Sequence, residues 1–145
     1  MEKKELSPDD YLRRAQAYCA RAERAPFEVR QKLHIIGAKA MDIENIVEKL
    51  TQDGFLDEAR YAAAFVHDKV LFQGWGKQKI RMALLAKKIP EQLVGQALEN
   101  ITPQDYQRAL KKALQTKRSA SQEQRIRFLL QRGFSYQDIA SVSPS

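Results

Sequence analysis

The sequence of 145 residues contains one cysteine, Cys19, and two histidines, His34 and His67. A single thiol cannot form an intramolecular disulfide, which excludes a disulfide-stabilised scaffold within one chain. The two histidines lie far apart, with no cysteine or carboxylate cluster at metal-ligand spacing, so we expect no metal site and no cofactor. Cys19 follows Tyr18 on an apolar helical face, which predicts a packed thiol rather than a nucleophile.

Long apolar runs are also missing from the chain. No stretch approaches the roughly 18 residues of a membrane-spanning helix, and the charged start MEKKELSPDD has no apolar signal-peptide core. We therefore expect a cytoplasmic protein with no membrane partner. The segment LFQGWGKQ has Leu71 and Gln78 where a phosphate-binding P-loop needs Gly and Ser or Thr, so it predicts no nucleotide site.

Positive charge is concentrated towards the end of the chain. The net charge is +7, and residues 101–145 carry eight Lys or Arg against three Asp or Glu, whereas residues 1–53 carry ten of each. Such asymmetry favours a polyanionic partner, either nucleic acid or an acidic protein surface. The alternative is an excess of cations that only keeps the surface soluble.

Helical periodicity runs along the whole sequence, and no strand alternation is present. Apolar residues recur at helical spacing, for example at Ala62, Val66 and Val70. Glycine and proline stand where helices should end or begin, which predicts about nine short helices; these positions are Gly37, Gly54, Gly74, Gly76, Gly133, Pro26, Pro90 and Pro103.

Related segments recur about 47 residues apart, which indicates an internal repeat. The three equivalent helix starts are DYLRRA at 10–15, DEARYA at 57–62 and DYQRAL at 105–110. We predict an all-α fold of three tandem three-helix repeats that form an elongated, curved array. The repeats span residues 10–53, 54–102 and 103–142.

The stretch GFLDEARYAAAF, at residues 54–65, places an acidic pair before an alanine-rich helix. Gly54 suits the end of one helix, Asp57 suits the cap of the next, and Glu58 suits the positive end of its dipole. The acidic pair is thus predicted to be structural rather than catalytic. We expect the same of Asp10 and Asp105.

Cations fall on the exposed side of several predicted helices, and they are the candidate binding residues. On a helix from about 104 to 118, the basic face opposite the apolar face carries Arg108, Lys111, Lys112 and Arg118. The central repeat has a stripe of Lys77, Arg81 and Lys88, and the last repeat has Arg125 and Arg132. These faces contact an anionic partner or are merely solvated. For Trp75, packing at a repeat junction is favoured over an exposed anchor.

Three segments resemble the motifs of the bacterial RecX family. GFLDEARYAAAFV is similar to the run that opens the family's central repeat, GKQKIRMALLAKKIPEQLVGQAL at 76–98 to its following helix pair, and QRGFSYQDI at 131–139 to its closing motif. The resemblance covers about residues 11–142. It implies an all-helical triple-repeat protein that is not an enzyme.

The resemblance also implies a partner, the RecA recombinase. Members of the family bind the RecA filament on single-stranded DNA, lie in its groove, block its growth and depress its ATPase and strand-exchange activities. We expect a monomer with only weak, non-specific DNA binding of its own. The alternatives are a helix-turn-helix transcription regulator, for which QEQRIR at 122–127 comes nearest to a base-reading helix, and a protein-interaction scaffold.

The repeat interpretation predicts a helical protein of elongated shape. Far-ultraviolet circular dichroism should show helix with almost no strand. Small-angle scattering should give a radius of gyration clearly above the roughly 15 Å of a globular chain of this length. A substantial strand signal or a value near 15 Å would remove the repeat interpretation.

Overall fold

The computed structural model describes residues 6–142, and over that range its regular secondary structure is entirely helical. This confirms the predicted all-α fold. The nine helices of the described range are α1 Pro8–Arg21, α2 Pro26–Ile35, α3 Ala40–Gln52, α4 Glu58–Leu71, α5 Lys77–Ala86, α6 Glu91–Glu99, α7 Pro103–Gln115, α8 Gln122–Gln131 and α9 Tyr136–Val142.

Helices α1 and α7 both begin with a hydroxyl-bearing cap residue followed by proline. The hydroxyl oxygens of Ser7 and Thr102 accept hydrogen bonds from the backbone N–H groups of Asp10 and Asp105, at 3.2 and 3.1 Å. The two aspartates lie in the first turn, as expected, and the Asp10 carboxylate accepts a hydrogen bond from the Ser7 backbone N–H at 2.9 Å, which completes a capping box. Because proline occupies the first helical position, the residue before it is the cap.

Asp57, in contrast, caps its helix as predicted. Its Oδ1 accepts a hydrogen bond from the backbone N–H of Arg60 at 3.0 Å. The guanidinium of Arg60 donates to the Glu23 carboxylate at 2.6 Å and to the Gly54 carbonyl oxygen at 3.0 Å. These bonds tie the start of α4 to the segments before it, so Asp57 of the GFLDEAR stretch serves the fold.

The chain's contacts divide it into two units, the first ending at Tyr61 and the second beginning at Ala62. Helix α4 contains the division. The predicted repeat boundaries, 53/54 and 102/103, lie in the loops before α4 and before α7. The positions of those boundaries stay a prediction.

In the first unit, α1, α2 and α3 each pack against the other two. Their shared core consists of ten buried residues: Tyr11, Ala15, Val29, Leu33, Ala38, Ile43, Ile46, Val47, Leu50 and Leu56. Cys19 is partly buried against this core, and desolvation raises the pKa of its thiol. The predicted packed thiol is therefore confirmed.

In the second unit, α5 packs against α6, and α7, α8 and α9 pack against one another. Its fully buried side chains of large volume include Ile80, Leu84, Val94, Leu110, Leu129 and Phe134. These side chains come from α5, α6, α7, α8 and the turn after α8, and Ile139 of α9 is buried as well.

Two glycines bring the start of α5 against the end of α8. The backbone N–H of Gly76 donates to the Arg132 carbonyl oxygen at 2.7 Å, and that of Gln78 donates to the Gly133 carbonyl oxygen at 3.0 Å. A Cβ on Gly76 would collide with the Gly133 backbone, and a Cβ on Gly133 would collide with Lys79. Gly133 also has a left-handed φ of 96°. Only glycine fits at either position.

Alanine substitutions should separate the two reasons for glycine. Gly76→Ala introduces the collision alone and should cost about 2 kcal/mol or more. Gly133→Ala introduces a collision as well, and its left-handed backbone should cause a further loss of about 1–2 kcal/mol in the free energy of unfolding. Gly54→Ala, with a φ of 81° and no atom within 4 Å of the new Cβ, should show the backbone cost alone. The free energy of unfolding, from denaturant titration, measures each effect.

Gly95→Ala is the matched control for these variants. Gly95 lies inside α6 with open space around its missing side chain, so alanine should stabilise the protein by about 0.5–1 kcal/mol. A Gly76→Ala protein as stable as the parent would show that α5 and α8 do not approach this closely.

Candidate partner-binding surface

Helix α7 separates an apolar face from a basic one, as the sequence predicted. Its inward face carries the buried side chains of Tyr106, Ala109, Leu110 and Ala113. Its outward face carries the exposed side chains of Arg108, Lys111 and Lys112. The helix ends at Gln115, one turn earlier than expected, so Arg118 lies in the turn that follows and not on the helical face.

The three outward cations line one open groove of about 840 Å³, together with Gln104, Gln107 and Gln115. Arg108 lies 3.9 Å from the Asp105 carboxylate, and both side chains are solvent-exposed. Among the described residues, Lys111 and Lys112 have no carboxylate partner. An exposed pair at that distance is weak, so the groove keeps a clear positive charge. We call it the α7 groove.

Arg118 and Arg125 meet at a second pocket, of about 320 Å³, between α7, α8 and α9. Its floor is aliphatic, and Gln115 lines both this pocket and the α7 groove. Except for Arg132, the candidate cations of the last repeat therefore line two adjoining surfaces. We call the second one the arginine pocket.

Lys77 and Arg81 lie one turn apart on α5 and line a third pocket, of about 250 Å³. Local groups accompany both cations. The Arg81 guanidinium lies 3.8 Å from the Glu91 carboxylate, and the Lys77 ammonium lies 4.8 Å from the centre of the Tyr106 ring. Glu99 lines the same pocket, so its positive charge is better compensated than that of the α7 groove.

Two of the candidate residues lie apart from these groups. Helix α5 ends at Ala86, so Lys88 follows it with a left-handed φ of 61° and does not continue the predicted stripe. Arg132 donates from Nη1 to the Gln73 carbonyl oxygen at 2.8 Å and lies 5.1 Å from the Phe128 ring centre. Through these two contacts, Arg132 helps to stabilise the fold.

Trp75 packs within the second unit, but its contacts lie inside the predicted central repeat and not at the repeat junction that the sequence favoured. Its ring meets Phe65 edge to face, with 6.3 Å between the ring centres. The ammonium groups of Lys79 and Lys69 lie 4.1 and 4.7 Å from the indole ring centre. Both distances suit cation–π contacts, which the sequence analysis missed although two lysines flank the Gly-Trp-Gly turn.

A buried hydroxyl links three helices beside these candidates. The Tyr106 hydroxyl accepts a hydrogen bond from the Lys77 backbone N–H at 3.0 Å and donates one to Asp138 Oδ2 at 2.9 Å. Burial is the main cause that raises the pKa of Tyr106 far above its usual value. Sequence analysis treated Tyr106 as an apolar residue only, because both partners are remote along the chain.

The described part of the chain offers neither a metal cluster nor a membrane-spanning helix. Residues 6–142 contain no group of three His, Cys, Asp or Glu side chains placed to hold a metal ion. No helix in the same range is long and apolar enough to cross a membrane.

Comparison with known proteins places this all-helical chain among regulatory proteins. The family model described as RecX, second three-helix domain, matches residues 57–98, which include α4, α5 and all but the last residue of α6. The regulatory protein RecX of Vibrio vulnificus (strain CMCP6) is 32% identical over 127 residues, which cover 83% of this chain and 82% of that protein. RecX of Leptothrix cholodnii is 32% identical over 134 residues, covering 89% and 84%.

Two solved structures share the fold. A crystal structure of regulatory protein RecX matches 98% of this chain and 80% of its own with a TM-score of 0.76 and 23% identity. That of RecX from Lactobacillus salivarius matches 92% of each chain, again with a TM-score of 0.76 and with 22% identity. The fold is thus that of a three-helix repeat protein. On its sequence relatives, the chain belongs to the RecX family of regulatory proteins.

Replacing Tyr106 by phenylalanine should weaken the second unit without touching a cation. The change leaves the Lys77 N–H and the Asp138 carboxylate without this partner, so we expect a loss of about 1–3 kcal/mol at neutral pH. Because the pKa of Tyr106 is raised on folding, the hydroxyl's contribution is complete below pH 10 and declines above it. The variant's stability should therefore fall less steeply above pH 10.

Tyr136→Phe is the control, since Tyr136 is exposed. Chemical denaturation at pH 7 and between pH 9 and 11 measures both effects. Equal stability of the Tyr106→Phe protein and the parent at neutral pH would contradict the network.

Proposed function

We propose that the chain is a negative regulator of RecA that binds the RecA filament on single-stranded DNA. In this proposal it lies along the filament groove and inhibits filament growth, ATP hydrolysis and strand exchange. The α7 groove is the observation that carries the proposal, because it presents Arg108, Lys111 and Lys112 on an open surface with one nearby carboxylate. Membership of the RecX family supports the choice of partner.

The charge of the α7 groove suits a nucleoprotein filament. Such a filament presents DNA phosphates and protein carboxylates along an extended groove, and each exposed cation that meets a phosphate releases a condensed counterion. An open groove on a helix can follow an extended anionic surface, whereas an enclosed pocket would select a small molecule. The chain's own contribution is therefore binding, and the chemistry stays with RecA.

Inhibition follows if the chain prefers one state of the filament. A bound protein shifts an equilibrium by the difference in its affinity for the two states. A chain that contacts several subunits in one arrangement opposes the rearrangements that accompany growth and hydrolysis. Few bound chains can then slow many RecA subunits.

The candidate cations fall into an order of importance. Those of the α7 groove come first because they are exposed and poorly compensated. Arg118 and Arg125 adjoin them. Lys77, Arg81 and Lys88 in the central repeat come next, and Arg132 comes last because its guanidinium already bonds to Gln73.

Reversal of two charges in the α7 groove should separate function from fold. The parent should slow DNA-dependent ATP hydrolysis by the RecA of the same organism at substoichiometric amounts. Lys111→Glu/Lys112→Glu should weaken filament binding about tenfold or more at low salt while leaving helicity and melting nearly unchanged. If both lysines meet phosphates, the logarithmic dependence of binding on salt should become shallower by about two units.

Arg14→Glu/Lys39→Glu is the matched control, because it changes the net charge equally at exposed positions of the first unit. A double variant in α7 that inhibits like the parent at every salt concentration would show that the groove is solvated only. Nanomolar binding to one duplex sequence, with RecA unaffected, would establish the transcription-regulator alternative instead.

A further inference from the structure

The arginine pocket has a different chemistry from the α7 groove beside it. Its floor is built from side chains of three helices: Leu114, Ile126, Leu129, Ile139 and Val142. Arg118 and Arg125 line the same pocket, and neither pairs with a carboxylate among the described residues. The pocket thus combines aliphatic surface with two uncompensated guanidinium groups.

This combination selects the kind of group that fits. An aliphatic floor favours an apolar side chain, since burying it removes apolar surface from water on both sides. Guanidinium groups favour carboxylates, which they bind with paired hydrogen bonds. A volume of about 320 Å³ lies at the small end of ligand sites, enough for one large side chain with its neighbours.

Nucleic acid fits the pocket less well than a peptide does. Proteins hold unpaired bases by stacking them on aromatic rings, and the pocket lining contains no aromatic residue. The α7 groove, lined by cations and glutamines, has no comparable aliphatic floor. The two adjoining surfaces therefore suit different parts of a partner.

We propose that the arginine pocket binds an acidic peptide segment of a partner protein, with one large apolar side chain on the aliphatic floor and carboxylates against Arg118 and Arg125. The proposal deepens the proposed function, on which it rests, by giving the chemistry of the partner segment. Binding should therefore need both the apolar side chain and the flanking acids.

Fluorescence anisotropy with a labelled peptide tests this directly, in the absence of RecA. The probe is a short peptide in which aspartates flank a central phenylalanine. Two comparison peptides replace the phenylalanine by alanine or the aspartates by asparagine. Each change should weaken binding to the parent protein about tenfold or more.

Protein variants locate the site. Arg118→Glu/Arg125→Glu should weaken binding of the probe about tenfold or more. Lys117→Glu/Arg127→Glu is the matched control, because it makes the same charge change in the same turn and helix. These control residues line a separate pocket, also of about 320 Å³, with Gln124, Phe128 and Gln131. The control should retain most of the binding, and Arg118→Gln/Arg125→Gln repeats the test with a milder change.

The proposal would be overturned if the probe bound equally well to the parent protein, to Arg118→Glu/Arg125→Glu and to Arg118→Gln/Arg125→Gln. It would also be overturned if the three peptides bound the parent protein equally well. The same holds if a labelled oligothymidine bound the protein and none of the peptides did. Assay of RecA ATPase on the same samples keeps the two claims apart. Inhibition without peptide binding contradicts the pocket, whereas peptide binding without inhibition contradicts the RecA partner.

Discussion

The second unit depends on the close contact between Gly76 and Gly133. Because neither residue has a side chain, the first turn of α5 comes within hydrogen-bonding distance of the end of α8. Around this contact, Arg132 bonds to Gln73, and the Tyr106 hydroxyl joins α5 to the beginning of α9. One continuous network thus holds α5, α7, α8 and α9, and it fixes the positions of the cations that these helices carry.

Under the proposed function, a surface held in this way would already be ordered when it binds its partner. The α7 cations stand on a helix whose opposite face is buried, so their backbone is already ordered before a partner arrives. The lysine and arginine ends remain in solvent, where salt screens them. The same separation means that charge and fold are carried by different residues of α7, with Lys111 and Lys112 outward and Leu110 and Ala113 inward.

Local patterns in the sequence were enough to predict the helices and the two faces of α7. Periodicity places Tyr106 and Leu110 inside, and glycine or proline marks most helix ends, because both effects act within one or two turns. The capping role of Asp57 is local in the same way. Asp10 and Asp105 also lie in the first turn of their helices as the local pattern predicts, although the caps themselves are Ser7 and Thr102.

Features that join distant segments were beyond the sequence analysis. Gly76 and Gly133 were interpreted as helix breaks, since nothing in either segment indicates that the other lies against it. The arginine pocket forms because side chains of α8 and α9 lie beside Arg118, although they are remote along the chain from it or from one another. Helix α7 also ends earlier than predicted, so Arg118 does not lie on its basic face. The hydrogen bond from Arg132 to the Gln73 carbonyl oxygen likewise joins positions that are remote along the chain, so local periodicity gave no sign of it.

Lysine labelling most directly tests whether α7 faces the filament. Brief acetylation of the chain, free and bound to RecA filaments on single-stranded DNA, would be measured by mass spectrometry at each lysine. Lys111 and Lys112 should lose most of their reactivity on binding, while Lys39, exposed in the first unit, should serve as the reference that changes less. Unchanged reactivity of Lys111 and Lys112 on a saturated filament would contradict a binding role for α7.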